Sequence, residues 1–315
     1  MTAVPKGRLT ITDMILPCHE LSYPVQRRSG YTMKRAVTIQ DISCFGKCSL
    51  TAALPVMSSM GVETAVIPTA VLSTHTGSGF TGYTFRDLTD DITQIAAHWK
   101  KLGLRFDTIY TGYIGSVAQI NVIKRFISQF RSEETLVVVD PVMGDGGRMY
   151  AGFDSRFVSA MKGLCSMADV ILPNPTEAAL LLGKNYSNSL SEGEIREMLR
   201  KLTGLGCKTA ILTGASPDRE KNGAAAYCSQ DESFVTSYGE NIDGSFHSTG
   251  DIFSSVVSGG LTLGMDMQQA LDLAVKFTHD CIKATLPIRE EQWYAVRFEP
   301  CLGDLAAACK KYIDT

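Results

Sequence analysis

The chain is poor in the features that mark most specialised protein classes. Its nine cysteines are an odd number. They include no Cys-x-x-Cys pair and no Cys/His spacing suited to a metal, so neither a disulfide framework nor a zinc site is expected. Reduced thiols fit a cytoplasmic protein. No apolar run approaches the ~20 residues of a membrane span, and the first thirty residues lack the apolar core of a signal peptide. The 30 basic and 33 acidic residues leave a net charge of −3, and no basic stripe is interleaved with aromatics, which argues against nucleic acid or a membrane as partner. No GxGxxG turn follows the first strand-like run, which excludes a Rossmann-type oxidoreductase. Repeats, low-complexity tracts and dividing linkers are absent as well.

What is present is alternation. Residues 1–32 show little periodicity and read as an appendage without function ahead of a natural start at Met33, leaving 33–315 as one domain. From Arg35 onward short β-rich runs at 36–39, 63–68, 108–111, 136–140, 168–172 and 209–213 alternate with amphipathic stretches at 49–60, 88–101, 118–129, 155–161 and 191–202. Continuously apolar strands separated by single helices predict right-handed crossovers and a mostly parallel sheet covered on both faces. The runs 224–228 and 233–238 read as a peripheral antiparallel hairpin, and helices follow near 251–264 and 267–285. The amphipathic stretch 302–312 has no evident place.

The most informative run is His247-Ser248-Thr249-Gly250-Asp251, which leads straight into an apolar helix. A small-residue turn opening a helix aims backbone N–H groups at one point, where the dipole also favours an anion. An aspartate in that turn can accept the proton of an alcohol. Taken alone, the run also reads as an ordinary N-cap with an acid in the first turn. Other polar residues gather at the carboxyl ends of the strands, where open parallel sheets bind ligands. Asp140 begins a loop with Asp145 and three glycines, Asn174-Pro175-Thr176-Glu177 follows the next strand, and Thr213-Gly214 ends the one after. Carboxylates at neighbouring strand ends suit a hydrated Mg²⁺ between phosphate oxygens, although Asp140 can equally cap a loop and Glu177 a helix.

These residues carry a resemblance. Ser248-Thr249-Gly250-Asp251 resembles the Gly-Thr-Gly-Asp signature of the ribokinase-like superfamily. Together with 38–41 (Thr-Ile-Gln-Asp), 73–77 (Ser-Thr-His-Thr-Gly), 111–113 (Thr-Gly-Tyr), 140–145 and 173–178, in the right order from Lys34 to Pro287, it looks like the pyridoxal/pyridoxamine kinase branch. The resemblance implies a ribokinase-like three-layer α/β/α sandwich. It also implies ATP-dependent phosphorylation of the 5′-hydroxymethyl group of a vitamin B6 vitamer in pyridoxal 5′-phosphate salvage. Asp251 would be the base, and the amides of Ser248, Thr249, Gly250 and Asp251 the anion hole. Asp140, Asp145 and Glu177 would organise Mg²⁺ and a monovalent cation, K⁺ or Na⁺, largely through water. Asn174, Thr213 and Gly214 would face ATP, with the hairpin on the adenine side. Asp41, His75, Thr76 and Tyr113 would face the pyridine ring, and the assembly would be a homodimer.

Two positions depart from the family pattern. Asp41 stands where a small hydroxyl residue is usual, which suggests a cation on the substrate and so favours pyridoxamine. Ser248 replaces a glycine and restricts the turn. Cys44 and Cys48, near the expected ring site, read as small buried hydrophobes. A hydroxymethylpyrimidine kinase of the same superfamily is the near alternative, yet residues 40–47 lack its glycine-rich first loop. A non-catalytic vitamer carrier or sensor would have no need of Asp251.

Overall fold

The computed structural model describes residues 33–77 and 79–313, so the appendage at 1–32 lies outside the described residues. The alternating pattern folds as its periodicities dictate. Strands β1 (Arg35–Ser43), β2 (Glu63–Leu72), β4 (Thr108–Thr111), β5 (Leu136–Val139), β8 (Val170–Ile171) and β9 (Thr209–Thr213) lie parallel. Antiparallel strands close both edges: β3 (Phe85–Asp87) beside β2, and the hairpin β10 (Lys221–Cys228) and β11 (Ser233–Glu240) beside β9. The order is β11-β10-β9-β8-β5-β4-β1-β2-β3.

Helices cover both faces, because each central strand is apolar on both sides. On one face Val37, Ile39, Ile109, Val137 and Val139 pack against α2 (Thr89–Lys101), α3 (Val117–Phe130), α4 (Ser155–Cys165), α5 (Pro175–Leu182) and α6 (Glu192–Thr203). On the other, Ala36, Tyr110 and Val138 meet α1 (Leu50–Ser59), α7 (Thr249–Thr262), α8 (Met267–Thr285) and α9 (Leu302–Ile313). The amphipathic C-terminal stretch thus lies beside α1, burying Leu305 and Cys309. Among the described residues no helix is long and apolar enough to cross a membrane.

Several boundaries differ from the sequence reading. β2 runs on to Leu72, past Pro68, and pairs with β3, an edge strand whose exposed residues carry no apolar alternation. The run 168–172 keeps only two strand residues, and α4 continues past Met161 to Cys165. The loop after Asp140 is itself a small hairpin, β6 (Gly144–Asp145) against β7 (Arg148–Met149). The register of β1 against β2 slips between Gln40 and Ile42, which face Pro68 and Val71, so β2 carries one extra residue beside Asp41. Such irregularities re-aim side chains near functional sites.

The outer hairpin depends on a close backbone approach. A Cβ at Gly223 would lie 2.1 Å from the Ser237 carbonyl oxygen of β11. Gly223→Ala is therefore expected to lower stability by about 1–3 kcal/mol, the usual range for overpacking, read as a lower midpoint in chemical denaturation. An unchanged midpoint would show that the hairpin yields without cost.

Candidate active site

Helix α7 packs against β1 and β4 and bonds Asp140 at the end of β5, and the acidic residues converge there. The phenol of Tyr150 marks their common point. Burial raises its pKa, and the charges of Glu177, Asp145, Asp251 and Asp140 add to the rise. The groups acting on Asp140, Glu177 and Asp251 include no cation.

Asp251 lies in the first turn of α7 and is half-buried. Loss of water pushes its carboxyl up to about 7, with the Ser49 backbone N–H opposing the rise and the charge of Asp41 adding to it. The helix it opens has no side-chain cap: Ser248, the N-cap residue, has φ +70° and makes no bond to the first-turn amides. A serine at this place normally accepts a hydrogen bond from N2 or N3. Here its hydroxyl turns away and donates to the Lys47 carbonyl, so the amides of Thr249, Gly250 and Asp251 keep their donors. A Cβ at Gly250 would meet nothing within 4 Å, leaving room beside this backbone. Thr249 turns its hydroxyl back to the Phe246 carbonyl at 3.1 Å.

Asp140, at the end of β5, accepts a 2.7 Å bond from Ser254 of α7, tying the sheet to the helix that carries Asp251. Burial pushes its carboxyl up to about 7, and the Asp251 charge adds to this. Glu177 is buried, and its pKa lies well above the usual carboxylate range because of burial and then the charge of Asp140. Both of its oxygens serve the fold: one accepts Met143 N–H at 3.0 Å and the other Asn174 N–H at 2.9 Å. Asn174 completes a capping box, accepting Glu177 N–H and donating to the Gly144 carbonyl. Asp145 is exposed in β6 and accepts the Gly146 N–H. Among the described residues no three His, Cys, Asp or Glu side chains stand close enough to hold a metal ion. Of the expected trio Asp140, Asp145 and Glu177, Glu177 has both oxygens engaged by backbone amides. Two buried acids with no cation beside them still suit a hydrated cation held partly through water.

Asp41 is 4% exposed and accepts a 3.1 Å bond from Ser43, while its Oδ1 has no hydrogen-bond partner in the structure. Burial raises its pKa, against hydroxyls from Ser49 and Ser43. Tyr113 is half-buried beside it. Its phenol is pushed up to about 12 by burial and then by the Asp41 charge, and its ring lies 6.0 Å from that of Phe153.

His75 has a different environment from the one expected of a ligand. One ring nitrogen bonds the Tyr294 carbonyl at 2.8 Å and the other accepts Gly77 N–H at 2.9 Å, which fixes a neutral tautomer. Its ring supports Gly46, whose φ is +111° and whose Cβ would lie 2.3 Å from the imidazole. Thr76 is exposed. Thr213 and Gly214 end β9 as expected, with Gly214 at φ +63° and its N–H on the Gly223 carbonyl.

The sequence reading missed two parts of the site. Residues 46–49 form a loop in which Gly46, Lys47 and Ser49 all have positive φ. A strap at 294–299 ties three site loops together: Tyr294 accepts from His75, Val296 N–H donates to the His247 carbonyl, and Glu299 pairs with Lys47 at 2.7 Å. Phe45, Phe80, Trp293 and Tyr294 form an aromatic wall over this region, with Phe45 and Tyr294 centroids 4.7 Å apart. No periodicity or spacing marks these contacts. Cys44 corrects another expectation, since it is exposed; Cys48 is half-buried, with Sγ 2.9 Å from Ser248 Oγ.

Residues 44–295 match the phosphomethylpyrimidine kinase family. The chain belongs to that family. A Bacteroides thetaiotaomicron protein assigned as a phosphomethylpyrimidine kinase and crystallised with pyridoxal is 38% identical, covering 87% of this chain and 96% of its own, with a TM-score of 0.82. Pyridoxal kinase from Lactobacillus plantarum is 32% identical over 89% of this chain and 99% of its own, with a TM-score of 0.81. A pyridoxal kinase of Vibrio campbellii is 28% identical over 80% of this chain and 88% of its own. The three-layer ribokinase-like fold is thus shared with pyridoxal kinases, and the chain is a kinase of this family.

The Glu177 bonds give a direct expectation. Glu177→Gln replaces one acceptor by an NH₂ that faces a backbone donor, so one of the amides of Met143 and Asn174 loses its partner. Stability should fall by about 1–3 kcal/mol, measured by chemical denaturation. Wild-type stability in the variant would mean that the capping box adds nothing.

Proposed function

We propose that this chain transfers the γ-phosphoryl group of ATP to the 5′-hydroxymethyl group of a vitamin B6 vitamer, forming the phosphorylated vitamer of a salvage reaction. The observation that carries this reading is the uncapped α7 N-terminus with Asp251 in its first turn. It supplies free amide donors and a base at one place, which is the arrangement phosphoryl transfer needs. Relatives that are pyridoxal kinases, and the 38% identical protein crystallised with pyridoxal, favour a vitamer over a hydroxymethylpyrimidine as acceptor.

In this reaction the alcohol oxygen forms a bond to the γ-phosphorus as the bond from that phosphorus to the β–γ bridging oxygen breaks, and ADP leaves. Asp251 takes the hydroxyl proton. The amides of Thr249, Gly250 and Asp251, beside the backbone of Ser248, hold the charge spread over the transferred oxygens. Asp140 and Asp145 face the side where phosphates bring their own charge, with Glu177 fixing the loop between them. Mg²⁺, when bound with ATP, would neutralise phosphate charge there, and a monovalent cation fits the same acidic surroundings. Thr213 and Gly214 border the nucleotide, and Asn174 holds the Gly144 turn toward it. Tyr113 and the aromatic wall flank the pyridine ring, His75 supports the loop beneath it, and Thr76 lies at the rim.

The base is active only when ionised. With its carboxyl near 7, kcat/KM should fall about ten-fold per pH unit as the pH drops below that value. Asp140 is pushed to the same region and titrates beside it. Asp251→Asn should keep the fold and ATP binding while lowering turnover by about two to four powers of ten. A purified variant that keeps more than about a tenth of wild-type turnover at saturating substrate would remove Asp251 from this role.

Asp41 governs choice among vitamers in this reading. Its buried Oδ1 lacks a partner, and a protonated amine or pyridinium of the substrate would supply one. Asp41→Ser is expected to lower kcat/KM for pyridoxamine relative to pyridoxal by about ten-fold, equal to about 1.4 kcal/mol. Specificity constants for both vitamers measure it; if the two fall together, or neither changes, Asp41 serves the fold alone. A coupled assay with pyridoxal, pyridoxamine, pyridoxine and hydroxymethylpyrimidine, each with ATP and Mg²⁺, tests the reading as a whole. Turnover of hydroxymethylpyrimidine alone would contradict it.

A further inference from the structure

Ser248 occupies a backbone conformation that suits glycine, with φ at +70°. A glycine would adopt it freely, so the side chain is the part that needs explaining. That side chain makes two contacts, both to the loop at 46–49 across the site. Its hydroxyl donates to the Lys47 carbonyl, and the Cys48 thiol lies 2.9 Å from the same oxygen. Since the hydroxyl hydrogen is used on Lys47, the thiol faces the Ser248 oxygen as a donor, and it also lies 3.6 Å from the Gly46 carbonyl, its other acceptor. Burial and then the Asp251 charge hold that thiol in its protonated form.

The loop so held is itself strained. Lys47 and Ser49 have φ of 53° and 54°, again in the left-handed region. Such conformations persist only where neighbours impose them. The Lys47 side chain is fixed separately, paired with Glu299 and lying 5.6 Å over the Phe298 ring. Between these anchors sits Ser49, which precedes α1 and bridges to Ile42 of β1, next to Asp41. The loop is therefore joined to the transfer end at Ser248 and to the ring end at Ile42, the neighbour of Asp41.

We propose that Ser248 is a positioning residue: its hydroxyl clamps the 46–49 loop against the start of α7, which leaves the first-turn amides of α7 free for the transferred phosphoryl group. The proposal rests on the reading of Asp251 as the base. The clamp replaces the capping bond that a serine at a helix start would otherwise make, and so turns a residue that could block the anion hole into one that holds it open.

The test compares Ser248→Gly and Ser248→Ala with wild type in steady-state kinetics and thermal melting. Glycine suits φ +70° better than serine, so Ser248→Gly should melt at or above the wild-type temperature. Turnover should nonetheless fall about ten- to thirty-fold in both variants, the scale of a small misplacement of reacting groups. KM for ATP and for the vitamer should stay within about two-fold, because the lost interaction matters chiefly in the transition state. Turnover of Ser248→Gly equal to or above wild type would overturn the clamp. So would KM values that rise in step with the loss of turnover, which would assign Ser248 to ground-state binding. Failure of the clamp is separable from failure of the functional reading, since an inactive wild-type protein defeats the latter before any variant is made.

Discussion

The structure depends on a cluster of carboxyl groups whose ionisation is governed by burial and not by a neighbouring cation. Asp41, Asp140, Glu177 and Asp251 stand at one end of the sheet, and burial raises the pKa of each. Buried charges without partners are costly, and proteins keep them where a ligand completes the site. The fold supplies fixed dipoles instead of cations: the α7 N-terminus beside Asp251, two backbone amides on Glu177, and Ser254 on Asp140. Amides and hydroxyls tolerate the arrival of a phosphate, whereas a lysine in their place would already be paired with the acids.

This arrangement explains why so much of the periphery serves one end of the sheet. The strap at 294–299 reaches the loops of Lys47, His75 and His247, which come from three separate parts of the chain. The hairpin β6–β7 is held by Asn174 and Glu177, so the residues that look like ligands for ATP or metal also set the shape of the loop that carries Asp145. Support and chemistry share side chains here, and a substitution at Glu177 affects both.

The sequence makes the layered sheet legible because apolar strands buried on both faces and amphipathic helices leave distinct periodicities. The run 136–140 and the helix after Ser248 are found by that means alone. The ordered motifs also bring Asp140, Glu177 and Asp251 to one end of the sheet, since strand ends in a parallel sheet share a side. What stays hidden depends on dihedral angles and on contacts distant in sequence. Nothing in residues 46–49 announces positive φ at Lys47 and Ser49, and a histidine between two threonines gives no sign that both its nitrogens are taken by backbone. Likewise the edge strand β3 is exposed at every residue, so it has no apolar pattern to read.

The central claim is that the open amides of α7 receive the transferred phosphoryl beside Asp251. A crystal structure of the protein with ADP, pyridoxamine and aluminium fluoride as the phosphoryl mimic tests it most directly. The account predicts the mimic within hydrogen-bond distance of the Thr249, Gly250 and Asp251 amides, the Asp251 carboxylate on the vitamer hydroxyl, and the Ser248 hydroxyl still on the Lys47 carbonyl. A mimic bound elsewhere, with Ser248 turned to cap its own helix, would contradict it.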